Sequence, residues 1–205
     1  MVDAISKTSS ISFVSQEQKY KEMIEELSEL IQLIVKNFRN VVVTNLKFSS
    51  FILDFIRVTF LSHNREVVKK NCTTLCLLIN GFSKPEDIQI LRNHFVLAFN
   101  AALYFIDCFS AREFVFKFTR LDPGFFLQIG NLIETDITQE VKRKVFHDNF
   151  EELWNKMAEK QVDDESQEML NHRLKNCFKK FLDSITPHSI KLYSLPSLAQ
   201  YFNFH

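Results

Sequence analysis

The stretch FSAREFVFKFTRLDPGFF, from Phe109 to Phe126, holds six phenylalanines and one Asp-Pro-Gly turn. Within it, Phe114, Phe116 and Phe118 alternate with a period of two, which is typical of a strand. A strand needs partners, because even an isolated pair of strands is marginally stable in water, and no second strand candidate is visible in this chain. The stretch therefore predicts a short distorted helix in a fold without a sheet.

The composition of the whole chain agrees with an all-α fold. Its 205 residues include three glycines and four prolines, whereas average usage would give roughly 14 and 10. Few turn residues indicate long helices with short connections. Hydrophobic residues make up 46% of the chain and 22 residues are phenylalanine, which favours one packed core over disorder.

Hydrophobic spacing and capping residues predict seven further helices. Their expected bounds are about 16–38, 45–62, 65–81, 84–109, 123–135, 141–157 and 165–184. The second helix has an apolar face through Phe51, Phe55, Val58 and Leu61. The apolar residues of the first helix at helical spacing are Tyr20, Met23, Ile24, Leu27, Leu30, Ile31, Ile34 and Phe38. Between these two helices, VVVTNLKF is locally strand-like because of its β-branched run.

Two positions carry specific turn or capping expectations. Ser83, Pro85 and Glu86 form a capping box with proline in the first turn, the clearest helix start in the chain. Gly81 is expected to end the third helix in a left-handed conformation.

The polar run VDDESQ divides the chain into unequal parts. We expect an N-terminal extension over residues 1–15, a helical domain over residues 16–160, and a C-terminal helix with a tail over residues 161–205. The tail, IKLYSLPSLAQYFNFH, is apolar enough to dock on the body of the protein.

Charge and hydropathy exclude several partners. Lys and Arg together number 25, as do Asp and Glu, so no sequence-wide positive field would hold a nucleic acid. No apolar run is long enough to span a membrane, and the first residues do not resemble a signal peptide. We therefore expect a cytoplasmic protein with reduced cysteines that binds neither nucleic acid nor the membrane interior.

The chain lacks the local patterns that would indicate an enzyme. No Gly-rich phosphate loop, H-E-x-x-H pattern or C-x-x-C pattern occurs in it. The adjacent carboxylates, such as Glu25 and Glu26, point about 100 degrees apart on a helix and do not converge as an acid–base pair. The prediction is a protein without catalytic residues.

The order of the helices resembles that of the globin family, in the divergent form found in invertebrates. SELIQLIVKNF is similar to the first globin helix and FSSFILDFIRVTFLSHNREV to the second helix and its corner. PEDIQILRNHFVLAFNAALYFID resembles the long distal helix, and LDPGFFLQIGNLIETDITQEVKRKVFHDNFEELWNKM resembles the last two helices. The resemblance implies a globin-like helical bundle with an additional C-terminal helix and tail.

A haem-binding globin needs a proximal histidine on the short helix before that Pro, and this chain has none there. The corresponding position falls at Phe116 or Lys117, which implies a pocket without haem that is either filled with side chains or reshaped for another ligand. In this alignment His94 is the candidate distal histidine. An alternative alignment makes His94 the proximal iron ligand and His63 the distal residue, and implies a haem protein that binds oxygen.

Two further expectations concern ligands and partners. SSFILDFIRVT resembles a stretch of the tumour-necrosis-factor-induced protein 8 family, which implies a cavity for a lipid or another apolar ligand. Arg112, Lys117 and Arg120 interleave with phenylalanines, so they either surround a pocket mouth or form a surface that binds a protein. The leading hypothesis is a haem-free, globin-like sensor or interaction module; a haem globin and a lipid carrier are the alternatives.

Overall fold

The computed structural model describes residues 2–60, 64–82, 85–105, 108–137, 139–158 and 167–185. These residues form eight α-helices and no strand, which confirms the all-α prediction for the described part of the chain. The helices are α1 (Val2–Thr44), α2 (Leu46–Phe60), α3 (Arg65–Ile79), α4 (Pro85–Tyr104), α5 (Phe109–Leu121), α6 (Pro123–Asp136), α7 (Glu140–Ala158) and α8 (Gln167–Ile185). None of the described helices is long and apolar enough to cross a membrane.

The chain divides into two compact units, residues 1–82 and residues 83–205. Unit 1 contains α1 to α3, and unit 2 contains α4 to α8. The predicted boundary between the helical domain and the C-terminal segment, at residues 160 and 161, lies outside the described residues, as does Ser83 of the predicted capping box.

In unit 1, α3 runs parallel to α1. The Asn64 side chain, which caps α3 by accepting from the backbone N–H groups of Glu66 and Val67, donates to a Glu25 oxygen at 2.6 Å. Farther along, Lys70 contacts Glu29 at 2.9 Å. A buried hydrogen bond of 2.8 Å from Asn71 to Thr59 ties α3 to α2.

The conformation of Gly81 differs from the prediction. It is not left-handed, and α3 ends at Ile79, followed by Asn80 as a C-cap in a right-handed conformation. A Cβ atom at Gly81 would lie 2.8 Å from a methyl group of Val43. The glycine therefore allows the end of α3 to approach α1 closely, and this tertiary contact explains it better than a helix stop.

Helix α1 is longer than the sequence predicts. It begins at Val2 instead of about residue 16, and the VVVT run is helical, not strand-like. Phe38 alone has non-helical backbone angles, so the predicted end of the helix coincides with a kink. Helix continuation through β-branched residues is reasonable because Val42 is fully buried, and tertiary burial outweighs a weak local propensity.

The apolar face predicted for α1 is buried only in part, and the face predicted for α2 is not the buried one. The buried side of α1 carries Ser28, Ile31 and Val35, while Leu27 and Leu30 are exposed. On α2 the buried residues are Ser49, Ile52, Leu53, Ile56, Thr59 and Phe60, while Phe51 and Val58 are exposed. Unit 1 therefore buries Ile31 of the face predicted for α1 together with Ser28 and Val35, whereas on α2 it buries a stripe that the spacing did not single out.

In unit 2, α4 packs on α5, α8 packs on α7, and α6 connects α5 to α7. As predicted, the Asp-Pro-Gly turn starts α6: Asp122 accepts a hydrogen bond from the Phe125 N–H at 3.1 Å. The other Asp122 oxygen contacts Arg92 of α4 at 2.8 Å. One carboxylate thus caps a helix and joins two helices, which fixes the entry of α6 into the core.

Candidate functional site

The phenylalanines of unit 2 form a continuous cluster to which all five helices of the unit contribute. Phe95 of α4 lies 4.7 Å from Phe118 of α5, measured between ring centroids. On the other side of the cluster, Phe181 of α8 lies 5.6 Å from Phe126 of α6 and 5.5 Å from Phe150 of α7. These distances are those of rings in direct contact, so buried rings of the Phe109–Phe126 stretch pack against phenylalanines of the other helices, whereas Phe109 is exposed.

Phe116 is one of the two residues, with Lys117, at which the globin resemblance would require an iron ligand. It is buried, and its ring meets Phe178 of α8 edge to face at 5.9 Å. Phe114 and Phe118, four residues apart, share one face of α5, whereas Phe116 lies on roughly the opposite face, and all three are buried. The short helix before Pro123 therefore presents packed rings to the core of unit 2.

Gly130 allows α6 and α7 to approach each other closely within this cluster. A Cβ atom at this position would overlap the ring of Phe150. Phe150 in turn stacks on Phe146 and contacts Phe181. The absence of a side chain at Gly130 is therefore a packing requirement of the cluster.

His94 is buried on α4, next to Phe95 in the chain. Its Nδ1 atom lies 3.3 Å from the carbonyl oxygen of Ile90, one helical turn earlier. The second predicted haem residue, His63, lies outside the described residues. Within the part of the chain that the structure describes, no group of three His, Cys, Asp or Glu side chains could hold a metal ion.

Two of the three cations predicted to bind a partner, Arg112 and Lys117, lie where α5 meets α8. Arg112 contacts Asp183 of α8 at 3.5 Å, and its side chain is 13% exposed. Lys117 contacts Glu113 at 3.7 Å, and the same carboxylate contacts Lys175 of α8 at 3.0 Å. The structure thus brings Arg112 and Lys117 to one junction of two helices.

The sequence reasoning missed the basic residues of α8. Lys175 and Lys179 are both exposed, and their spacing of four residues places them on one helix face. Lys175 also lies 6.0 Å from the centre of the Phe116 ring. The exposed Arg120 and Lys179 lie one helical turn from Lys117 and Lys175, respectively. We call Arg112, Lys117, Arg120, Lys175 and Lys179 the basic junction.

The buried Cys177 contributes no reactive thiol to this region. Burial first, and then the negative charge of Glu152, raise the pKa of the Cys177 thiol above its usual value. A raised pKa leaves the thiol protonated near neutral pH, and a protonated thiol is a poor nucleophile.

Comparisons with models of protein families, with curated proteins and with solved structures found no match to this chain. The phenylalanine cluster and the basic junction are therefore the features that bear on its function.

Proposed function

We propose that this chain is a haem-free, non-enzymatic helical module that binds a protein partner. The packing of rings around Phe116 is the observation that supports the absence of haem from this proposal. A haem needs a flat cavity beside its ligand, whereas here the ring at the ligand position is in contact with Phe178. Iron ligation at this position would require both a different residue and a displaced α8.

Within the all-α class, the proposed fold is a globin-like arrangement of the helices. Its support is the order of the elements: a long helix, α4, precedes the short α5, and Pro123 opens the helix that follows. In a globin the same order surrounds the haem. Phenylalanine in place of the ligand would convert a cofactor pocket into an ordinary core.

The partner contact is proposed for the basic junction. The Arg112 guanidinium has one long contact to Asp183, and its buried Nε atom has no hydrogen-bond partner in the structure. A guanidinium offers five N–H donors, and carboxylates are the groups that satisfy several of them at once. The junction carries five cations against the carboxylates of Glu113 and Asp183, so an acidic segment of a protein is the partner that fits its charge.

A hemin titration followed by absorption tests the haem-free part. We expect weak, non-saturating uptake by the reduced protein, with no change in His94→Ala. A saturable one-to-one Soret band that His94→Ala removes would establish the alternative, a haem protein with His94 as the ligand. His172→Ala, at an exposed histidine of α8, is the matched control.

Cross-linking in the cells that make the protein tests the partner contact. Arg120→Glu combined with Lys179→Glu should reduce the yield of a specific cross-linked partner at least about tenfold, since two attractive contacts become repulsive. Lys142→Glu with Lys144→Glu is the control, because it makes the same charge change on α7. An equal yield from both double variants would rule out the basic junction as the contact surface.

A further inference from the structure

Helix α1 exposes a row of apolar side chains that unit 1 does not cover. Tyr20 is 60% exposed, Met23 54% and Leu30 53%, and Leu27 is also exposed. Ile34, which is half-buried, continues the row. We call these five residues the α1 seam.

The spacing of the α1 seam is that of a coiled coil. Tyr20, Leu27 and Ile34 recur every seven residues, and so do Met23 and Leu30. Apolar residues at two positions of each seven are those with which two helices pack along each other. The face that α1 buries inside unit 1, with Ser28, Ile31 and Val35, is a separate stripe.

We propose that the α1 seam binds the same seam of a second copy of this chain, with the two helices antiparallel. An alignment that places Leu27 opposite Leu30 of the partner subunit also places Met23 opposite Ile34 of the partner subunit. Each copy contributes both members of each contact, so the arrangement is two-fold symmetric and closed.

The polar ends of the seam favour this alignment. The next seam position after Leu30 is Asn37, which the alignment places opposite Tyr20 of the partner subunit. The Asn37 amide group donates to the Leu33 carbonyl at 2.9 Å, which leaves its side-chain oxygen to accept from the tyrosine hydroxyl. A parallel pair would instead place Asn37 against Asn37 and Tyr20 against Tyr20.

The charges beside the seam are compatible with self-association. Lys19 and Glu26 border the seam on one side. In the antiparallel alignment the flanking residues of the partner subunit on that side are residues 40 and 33, each two positions from the level of the charge, and both are uncharged. No pair of like charges therefore opposes the contact. The pairing uses unit 1 alone and is independent of the partner contact proposed for the basic junction.

Sedimentation equilibrium over a range of concentrations tests the pairing. We expect a reversible monomer–dimer equilibrium for the full chain, and a dissociation constant about 100-fold higher for Leu27→Glu with Leu30→Glu, since this change brings carboxylates together in an apolar contact. Phe51→Glu with Val58→Glu, at two exposed apolar residues of α2, should leave the constant unchanged. Circular dichroism checks that each variant is folded.

Three outcomes would overturn the proposal. A monomer at every concentration would show that the seam does not bind a second copy. A dimer that is unaffected by the Leu27 and Leu30 changes would place the interface elsewhere, and so would a dimer that the α2 variant weakens equally.

A distance measurement tests the orientation. Gln18 is exposed and lies level with residue 39 of the partner subunit in the antiparallel alignment. Spin labels at Gln18→Cys in the two copies should then be about 30 Å apart along the helix axis, at 1.5 Å per residue. A separation below about 20 Å would mean parallel helices and would overturn the antiparallel arrangement.

Discussion

The α1 seam and the phenylalanines of α5 are both regularly spaced apolar sets, but only the second is buried. Phe114, Phe116 and Phe118 have α4, α6 and α8 around them in unit 2, and each is almost fully buried. Leu27 and Leu30 lie on a helix that only α2 and α3 cover in unit 1, and they remain exposed. Regular spacing alone therefore does not decide whether an apolar set is buried, because burial depends on the number of neighbouring helices.

The largest effect is expected for a ring at the centre of the cluster. Phe181→Ala should lower the free energy of unfolding by about 3–5 kcal/mol, because it removes a ring in contact with those of Phe126, Phe146, Phe150 and Phe178. Urea denaturation measures this change. A loss below about 1 kcal/mol would mean that α8 is an appendage and not part of the core.

A smaller effect is expected where the cluster requires a glycine. Gly130→Ala should cost about 1–3 kcal/mol, since the added methyl group overlaps the Phe150 ring. Gly124→Ala is the control, because the nearest atom to its added methyl group would be an Asp122 oxygen at 3.9 Å. Thermal unfolding measures both variants. Equal midpoints of Gly130→Ala and Gly124→Ala would contradict the close approach of α6 and α7.

Unit 1 can be weakened without a change to its apolar residues. Asn64→Ala should cost about 1 kcal/mol from the loss of the α3 cap, with a further loss from the contact to Glu25. Asn64→Ser retains the cap but not the reach to Glu25, so its stability should fall between wild type and alanine. Equal stabilities of all three proteins in guanidinium would show that this end of α3 does not limit unfolding.

The smallest effect is expected in the α1 seam itself. Leu30→Ser should change the free energy of unfolding by less than about 0.5 kcal/mol when it is measured at a concentration where the chain is monomeric. The same substitution at the buried Ile31 should cost several times as much. Similar costs at the two neighbouring positions would show that the seam is covered within a single chain.

Much of the helix pattern was predictable from local chemistry. The Asp-Pro-Gly turn predicted the start of α6, and the lack of a partner strand correctly favoured a helix for α5 over its period-two pattern. Predictions failed where a tertiary contact overrode a local preference. Gly81 allows the end of α3 to approach Val43 of α1 closely, and the VVVT run is helical with Val42 buried.

The candidate site was predictable only in part. The alternation of cations and rings singled out Arg112 and Lys117, but not the contribution of α8, because Lys175 is distant in sequence. The globin resemblance singled out Phe116 or Lys117, but the contact of Phe116 with Phe178 depends on how α8 packs.

The sequence by itself determined the all-α class, most helix boundaries and the identity of the residues that share each face, because caps, turns and periodicity act over a few residues. Only the tertiary structure decided which of two apolar stripes on α1 and on α2 is buried, that α8 completes the phenylalanine cluster, and which glycines are needed for close packing. These features depend on contacts between residues far apart in the chain, and local spacing carries no information about which neighbour will cover a face.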